Sequence, residues 1–246
     1  MSVLLSSERR PPLALLAGGL ATRLRPATIT TPKSMIEIAG EPFIAHQLRL
    51  LVNQGISEIV ICAGYLGEQI EAYVGDGGIF GCNVRYSFDG DRLLGTGGAL
   101  RKALPLLGDR FFVMYGDSYL PTPFAPIQQA FEYAGLPALM TVFRNAGRWD
   151  TSNVEFVEGS IRSYDKVDRT PAMLHIDYGL GILAASVVHD WTANGTFDLA
   201  DLYRDLVRRG LLAGFEVPER FYEIGSPAGI RETDTFLRRQ SRGGRS

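Results

Sequence analysis

The sequence predicts an α/β protein: one mostly parallel central sheet with helices on both faces, and a smaller β subregion toward the C-terminal end. Three observations predict it. Apolar β-branched runs such as Ile56 to Ala63 alternate with stretches of helical spacing through the first half. Runs that are continuously apolar, rather than alternating, suit strands buried on both faces of a parallel sheet. From about Ala138 the pattern loosens into shorter strand-like runs with turn signals between them. With 246 residues, of which 46% are hydrophobic and 21% charged, the chain can bury one large core.

Met1 to Pro12 reads as a mobile leader, and Leu13 to Ala17 as the first strand. Pro42 to Gln54 places apolar residues at helical spacing, with Gly55 as its stop. Ile56 to Ala63 is the next strand and Gly67 to Val74 a short helix ending at Gly75. A strand over Cys82 to Phe88, a helix over Gly97 to Leu106 and a strand over Phe111 to Tyr115 follow. A helix beginning near Pro123 leads to a strand over Ala138 to Phe143. Asn153 to Val157 and Ile161 to Tyr164 form a hairpin about Glu158-Gly159, a dipeptide suited to a tight turn. Met173 to Ala184 is a long strand and Leu199 to Arg209 a helix. Leu211 to Val217 and Arg220 to Ile224 form a strand pair, and Pro227 to Arg238 the last helix. Ser241 to Ser246 reads as a disordered basic tail. No internal repeat or linker divides the chain, so residues 13–240 are expected to form one domain with parts 13–137 and 138–240.

Formal net charge is −2, which argues against general nucleic-acid binding while leaving room for a local basic patch toward a small anion. Cys62 and Cys82 lack metal-ligand spacing, and only His46, His175 and His189 could join them, so neither a zinc site nor a disulfide scaffold is expected. Met1 to Leu5 is too short an apolar run for a signal peptide, and Gly179 to Val188 is far short of a membrane span. The expected compartment is the cytoplasm, with no membrane partner, and a homo-oligomer is compatible with the composition.

The most informative stretch runs from Leu15 to Pro26, then Thr31 to Ser34. An apolar strand ends in Gly18-Gly19, and Thr22, Arg23, Arg25 and Lys33 follow within a short distance. Glycines let backbone N–H groups approach anionic oxygens, and basic side chains neutralise them, so the pattern suits a loop wrapped around a phosphate chain. Neither Gly-x-x-x-x-Gly-Lys-Ser/Thr nor Gly-x-Gly-x-x-Gly occurs here. An ordinary strand–loop junction would explain Gly18-Gly19 alone, but not the basic cluster behind it.

This stretch resembles the signature of the sugar-1-phosphate nucleotidyltransferases: Gly18-Gly19-Leu20-Ala21-Thr22-Arg23-Leu24-Arg25-Pro26, then Pro32-Lys33-Ser34-Met35. The resemblance covers roughly Leu13 to Leu237 and implies a Rossmann-like fold whose later β subregion binds the sugar. It implies that Ala17, Gly18, Gly19, Thr22 and Arg23 bind the nucleotide phosphates, with Arg23, Lys33, Asp117 and Lys166 as catalytic residues. Leu94-Gly95-Thr96-Gly97-Gly98-Ala99 matches the element lining the base pocket, from which Gly97 is carried over. Asp117, in Tyr115-Gly116-Asp117, stands where the family holds Mg²⁺, although Tyr115 replaces the usual Asn. A carboxylate after Gly at a strand's carboxyl end suits that task, although in isolation a strand-end turn is the better explanation of Asp117. Glu223, in Glu223-Ile224-Gly225-Ser226-Pro227, stands where the family has Asp as second metal ligand. Lys166 matches the Lys of a Glu-Lys pair at the sugar phosphate, and Asp165 stands for the Glu with one methylene fewer. Where the family carries Asn-Ala-Gly at the sugar, Gly179 aligns while Asp177 and Tyr178 replace the Asn and Ala; Asp177 and Gly179 join Lys33 as sugar-phosphate-binding candidates.

The implied reaction joins an NTP to a sugar 1-phosphate and releases pyrophosphate, with positioning and charge neutralisation as the protein's contribution. Small members of this family include heptose-1-phosphate guanylyltransferases and muramate-1-phosphate uridylyltransferases, and from the length of the sequence no C-terminal acetyltransferase or β-helix domain is expected. Asp89 lies near the expected base. A carboxylate can accept from guanine N1–H and N2–H₂ together, which favours GTP and a heptose or mannose type of sugar. A uridylyl- or thymidylyltransferase is the alternative, and a non-catalytic NDP-sugar sensor is the alternative of another class. A glycosyltransferase would need Asp-x-Asp, whereas Gly116-Asp117-Ser118-Tyr119 holds one acid.

Overall fold

A computed structural model describes residues 10–19, 24, 28–192 and 195–243, and the statements below concern these. In chain order, β1 (Leu13–Leu16) leads through β2 (Glu37–Ile38) and β3 (Glu41–Pro42) into α1 (Phe43–Asn53), β4 (Glu58–Ala63), α2 (Gly67–Val74), β5 (Asn83–Phe88), α3 (Gly95–Ala103) and β6 (Arg110–Tyr115). Then come β7 (Ser118–Tyr119), α4 (Phe124–Ala134), β8 (Ala138–Phe143), β9 (Val154–Val157), β10 (Ser160–Tyr164) and β11 (Ile176–Ala184). The chain closes with α5 (Ala185–His189), α6 (Leu199–Arg208), β12 (Leu212–Glu216), β13 (Tyr222–Glu223) and α7 (Pro227–Gly243).

One nine-stranded sheet runs β5-β4-β1-β6-β11-β8-β12-β10-β9. The quartet β5-β4-β1-β6 is parallel throughout. β11 runs against both β6 and β8, β12 is parallel to β8, and β10 runs against β12 and β9. The predicted alternation is therefore strictest before residue 138. Side chains of β1 alternate between two cores. Leu13 and Leu15 pack with Ile44 and Leu48 of α1, Ile70 of α2 and Phe124 of α4. Ala14 and Leu16 pack with Leu100 of α3 and Leu199 and Leu206 of α6. The period of two along the strand thus places helices on both faces.

The order also locates the site. From β1 the chain crosses first to β4 on one side and later to β6 on the other, so a crevice opens at the carboxyl ends of β1 and β6. The Gly116 N–H donates to Leu16 O (2.9 Å) and the Ala17 N–H to Cys62 O (2.9 Å), tying the loops after three parallel strands together there.

Several expectations are corrected. β12 and β13 do not pair with each other: β12 lies between β8 and β10, and β13 pairs with β7. Local pattern reports strand propensity but not partner, and Pro218, having no N–H, cannot extend the β12 ladder. The long strand begins at Ile176 rather than Met173, because Met173 closes a turn onto Thr170 O. α5 was hidden by the β-branched pair Val187-Val188. The last helix extends to Gly243 and takes in part of the predicted disordered tail. At the other end, Pro12 O accepts from the Phe112 N–H, which ties the end of the predicted leader to β6. The hairpin holds as expected, with Glu158 (φ 47°) and Gly159 (φ 80°) both left-handed.

Candidate active site

The crevice holds a cavity of about 300 Å³ lined by Ala17, Gly18 and Gly19 after β1, Tyr115 to Asp117 at the end of β6, and Gly95 and Thr96 at the start of α3. Lys33, Ser34, Asp89 and Asp198 complete its polar lining. Most predicted nucleotide-side residues therefore converge on one cavity. Thr22 and Arg23, with Arg25, lie outside the described residues.

Lys33 Nζ lies 2.7 Å from Asp117 Oδ2. The pair is partly exposed, and such pairs are worth about 1 kcal/mol or less, so an incoming phosphate or cation can re-partner both groups readily. Glu223 joins them through the β7–β13 ladder, in which it faces Ser118 while the Ile224 N–H donates to Asp117 O (2.9 Å). A methyl group at Gly225 would stand 2.7 Å from Glu223 Oε2, 3.0 Å from Lys33 Nζ and 3.8 Å from Asp117 Oδ2, so this glycine leaves the space the three groups share. The Glu223 carboxylate accepts from the Gly225 N–H and from Ser226 Oγ (2.7 Å on Oε1). Among the described residues no group of three His, Cys, Asp or Glu is placed to hold a metal. Two carboxylates beside Lys33 nevertheless fit Mg²⁺, which keeps waters and takes substrate oxygens as further ligands.

Two residues of this lining carry a buried polar atom without a hydrogen-bond partner among the described residues, Ser34 Oγ and Asp89 Oδ1. Asp89 Oδ2 accepts from the Leu94 N–H (3.0 Å), and burial raises its carboxyl above the usual range against that bond. Gly97 does not line the cavity. A side chain there would overlap the Phe197 ring, and the Gly97 N–H donates to Phe197 O (3.0 Å), so packing on the segment before α6 requires this glycine.

The sugar-side candidates separate into two kinds. Lys166 Nζ lies 5.0 Å from the centre of the ring of Tyr115, a residue that lines the cavity, and donates to Tyr115 Oη (3.4 Å). Asp165, its neighbour, turns away. Its Oδ1 accepts from the Val167 and Asp168 N–H groups (2.7 and 3.0 Å) and its Oδ2 from Arg204 (3.1 Å). The two backbone donors, then Arg204, hold its carboxyl below the usual range. Asp177 points inward to Tyr115, Tyr164 and the Gly179 N–H. Burial raises its carboxyl, opposed by Lys166 and those donors. Gly179 has φ +92° and lies against the Tyr115 ring, so it serves that packing. Asp165, Asp177 and Gly179 thus support the site rather than line it. Sequence reasoning passed over Tyr115 as a departure from the family pattern, and Tyr164 and Arg204 altogether. The quoted motif already contained Ser34.

A family model described as nucleotidyl transferase matches residues 14–151. An N-acetylmuramate α-1-phosphate uridylyltransferase of Neisseria meningitidis is 45% identical over 104 residues, 42% of this chain and 45% of that relative, so the chain matches under half of the relative's length. A D-glycero-α-D-manno-heptose 1-phosphate guanylyltransferase of Campylobacter jejuni is 24% identical over 213 residues, 87% of this chain and 94% of the relative. The structure of HddC from Yersinia pseudotuberculosis complexed with GMP-PN superposes with a TM-score of 0.77 at 21% identity, covering 93% and 100% of the two chains, a likeness of fold. The match over residues 14–151 takes in β1, β6, Lys33, Asp89 and Asp117, and on it the chain belongs to the nucleotidyl transferase family.

Proposed function

We propose that this protein transfers a nucleotidyl group from an NTP to a sugar 1-phosphate, releasing pyrophosphate. One observation carries the reading. Lys33, Asp117 and Glu223 come together around Gly225, beside a glycine-lined cavity at the carboxyl ends of parallel strands. An oxygen of the sugar phosphate attacks the α-phosphorus, the bond to the β-phosphate oxygen breaks, and pyrophosphate leaves in line. The nucleophile is already ionised near neutral pH, so no general base is needed.

The backbone of Ala17 to Gly19 faces the phosphate chain, with Thr22 and Arg23 following it in sequence. Lys33 and Lys166 meet the reacting phosphates from opposite sides. Asp117 and Glu223 would hold Mg²⁺, which supplies charge neutralisation at the phosphate oxygens. Because the reaction consumes an NTP, the cytoplasm is the compartment proposed, and no described helix is long and apolar enough to cross a membrane.

For the base we propose guanine, in line with the Campylobacter relative, which matches most of this chain, and for the sugar a heptose or mannose type. One observation favours uracil as a second reading. The Neisseria uridylyltransferase is 45% identical to this chain over 104 residues. A pyrophosphate-release assay with Mg²⁺, five NTPs including dTTP and a panel of sugar 1-phosphates tests both. GTP turnover with a manno-configured sugar is expected. Turnover with UTP or dTTP alone replaces guanine, and nucleotide binding without pyrophosphate release sinks the enzyme reading.

A further inference from the structure

Lys166 and Lys33 are held in opposite ways. Lys33 contacts its acid directly, at 2.7 Å. Lys166 reaches its nearest buried acid through a hydroxyl: its Nζ donates to Tyr115 Oη (3.4 Å), and Tyr115 Oη donates to Asp177 Oδ2 (3.4 Å). Tyr164 Oη donates to the same oxygen (3.2 Å). Asp177 Oδ1 accepts from the Gly179 N–H (3.0 Å), and the Asp177 N–H donates to Asn153 Oδ1 (2.9 Å). The strong acceptor positions of this carboxylate are therefore turned toward protein donors, and its backbone is pinned as well.

We propose that Tyr115, Tyr164 and Asp177 form a tether that positions the Lys166 ammonium for an incoming phosphate without neutralising it. The three are positioning residues. An ammonium has three donors; the Tyr115 hydroxyl takes one and leaves two for phosphate oxygens, where a direct ion pair would place a competing anion on the same face. Bonds in such a chain polarise one another, so the Asp177 charge strengthens the Tyr115–Lys166 link from a distance. The ring of Tyr115 adds a cation–π contact beneath the ammonium. Gly179, in the left-handed region at φ +92°, leaves the space in which that ring lies. Tyr115 and Asp177 are the two positions at which this chain departs from the expected Asn residues, and here the two departures are hydrogen-bonded to each other.

The proposal rests on the reading of Lys166 as the cation that meets the sugar phosphate. Its test uses the whole chain and does not require turnover. The affinity for inorganic phosphate is measured by titration calorimetry for the wild type and for Lys166→Ala, Tyr115→Phe, Tyr164→Phe and Asp177→Asn, each checked by its melting temperature. The sign decides the matter. If Asp177 acted only as a nearby negative charge, Asp177→Asn would bind phosphate more tightly. A tether predicts weaker binding, about fivefold in Tyr115→Phe and in Asp177→Asn and less in Tyr164→Phe, which keeps the Tyr115 link. In turnover, the KM for sugar 1-phosphate should rise in the same order while NTP affinity stays within about twofold, a split that a general loss of structure would not produce. Unchanged or tighter phosphate binding in both Tyr115→Phe and Asp177→Asn overturns the tether. If either variant does not fold, Tyr164→Phe decides by the same sign. Should Lys166→Ala itself bind phosphate normally, the reading of Lys166 fails instead, and the two failures are told apart.

Discussion

The two halves of the site are built from different materials. On the nucleotide side, the cavity wall is largely main chain and small residues: Ala17, Gly18, Gly19, Gly95 and Gly116, on loops after parallel strands or at a helix start. On the side proposed for the sugar, the frame is side chains drawn from four separate elements, namely Tyr115 of β6, Tyr164 of β10, Asp177 of β11 and Tyr203 of α6. Backbone donors point at a ligand wherever the strand ends, whatever neighbours surround them. A side-chain frame exists only once distant strands have paired. A polyphosphate, common to every NTP, can be met by the first kind of wall, whereas a sugar is told apart by the second.

The largest expected effect lies where the halves join. Asp117→Ala should lower Mg²⁺-dependent turnover by about 100-fold or more with the melting temperature little changed. Unaltered metal-dependent rates would remove Asp117 from the metal site. Lys166→Ala should separate the halves: the KM for sugar 1-phosphate rises about tenfold or more while calorimetric NTP affinity stays near wild type. An equal loss for both ligands would put Lys166 on the wrong side.

A smaller effect tests whether a glycine on the nucleotide side serves packing rather than ligand contact. Gly97→Ala would drive a methyl into the Phe197 ring, an overpacking that costs about 1–3 kcal/mol in a denaturant melt. Phe197→Leu beside it should recover part of that loss. No rescue, with nucleotide affinity lost at full stability, would return Gly97 to the base pocket.

The smallest effect contrasts the two acids of the sugar side. The Asp165 carboxyl is lowered in the folded state, so its contribution is present above the unfolded pKa, about 3.9, and is lost as pH falls through the folded value. Asp165→Ala should therefore be less stable than wild type at pH 7, with the gap closing in acid. The Asp177 carboxyl is raised, so the cost of burying its charge is absent below the unfolded pKa and grows as pH rises through the raised value. Asp177→Asn should gain on wild type over that rise. Melting temperatures between pH 3 and 7 read both slopes, and parallel slopes would refute the assignment of opposite environments.

What the sequence by itself determined follows from local rules. Continuous apolar runs specified β1, β4 and β6, helical spacing specified α1 and α2, and strand ends followed by glycine pointed to Ala17–Gly19 and Gly116–Asp117 as ligand loops. These depend on neighbours within a few residues, and a parallel sheet brings such loops to one edge. The tertiary structure alone decided the rest. β13 found β7 rather than β12, and that choice set Glu223 beside Lys33 and Asp117. Gly97 went to Phe197, a hundred residues away, and Asp177 turned to Tyr115 and Tyr164. Strand partner and side-chain direction are chosen by packing and hydrogen-bond satisfaction among residues far apart in the chain, and a pattern of period 2 or 3.6 carries no record of them.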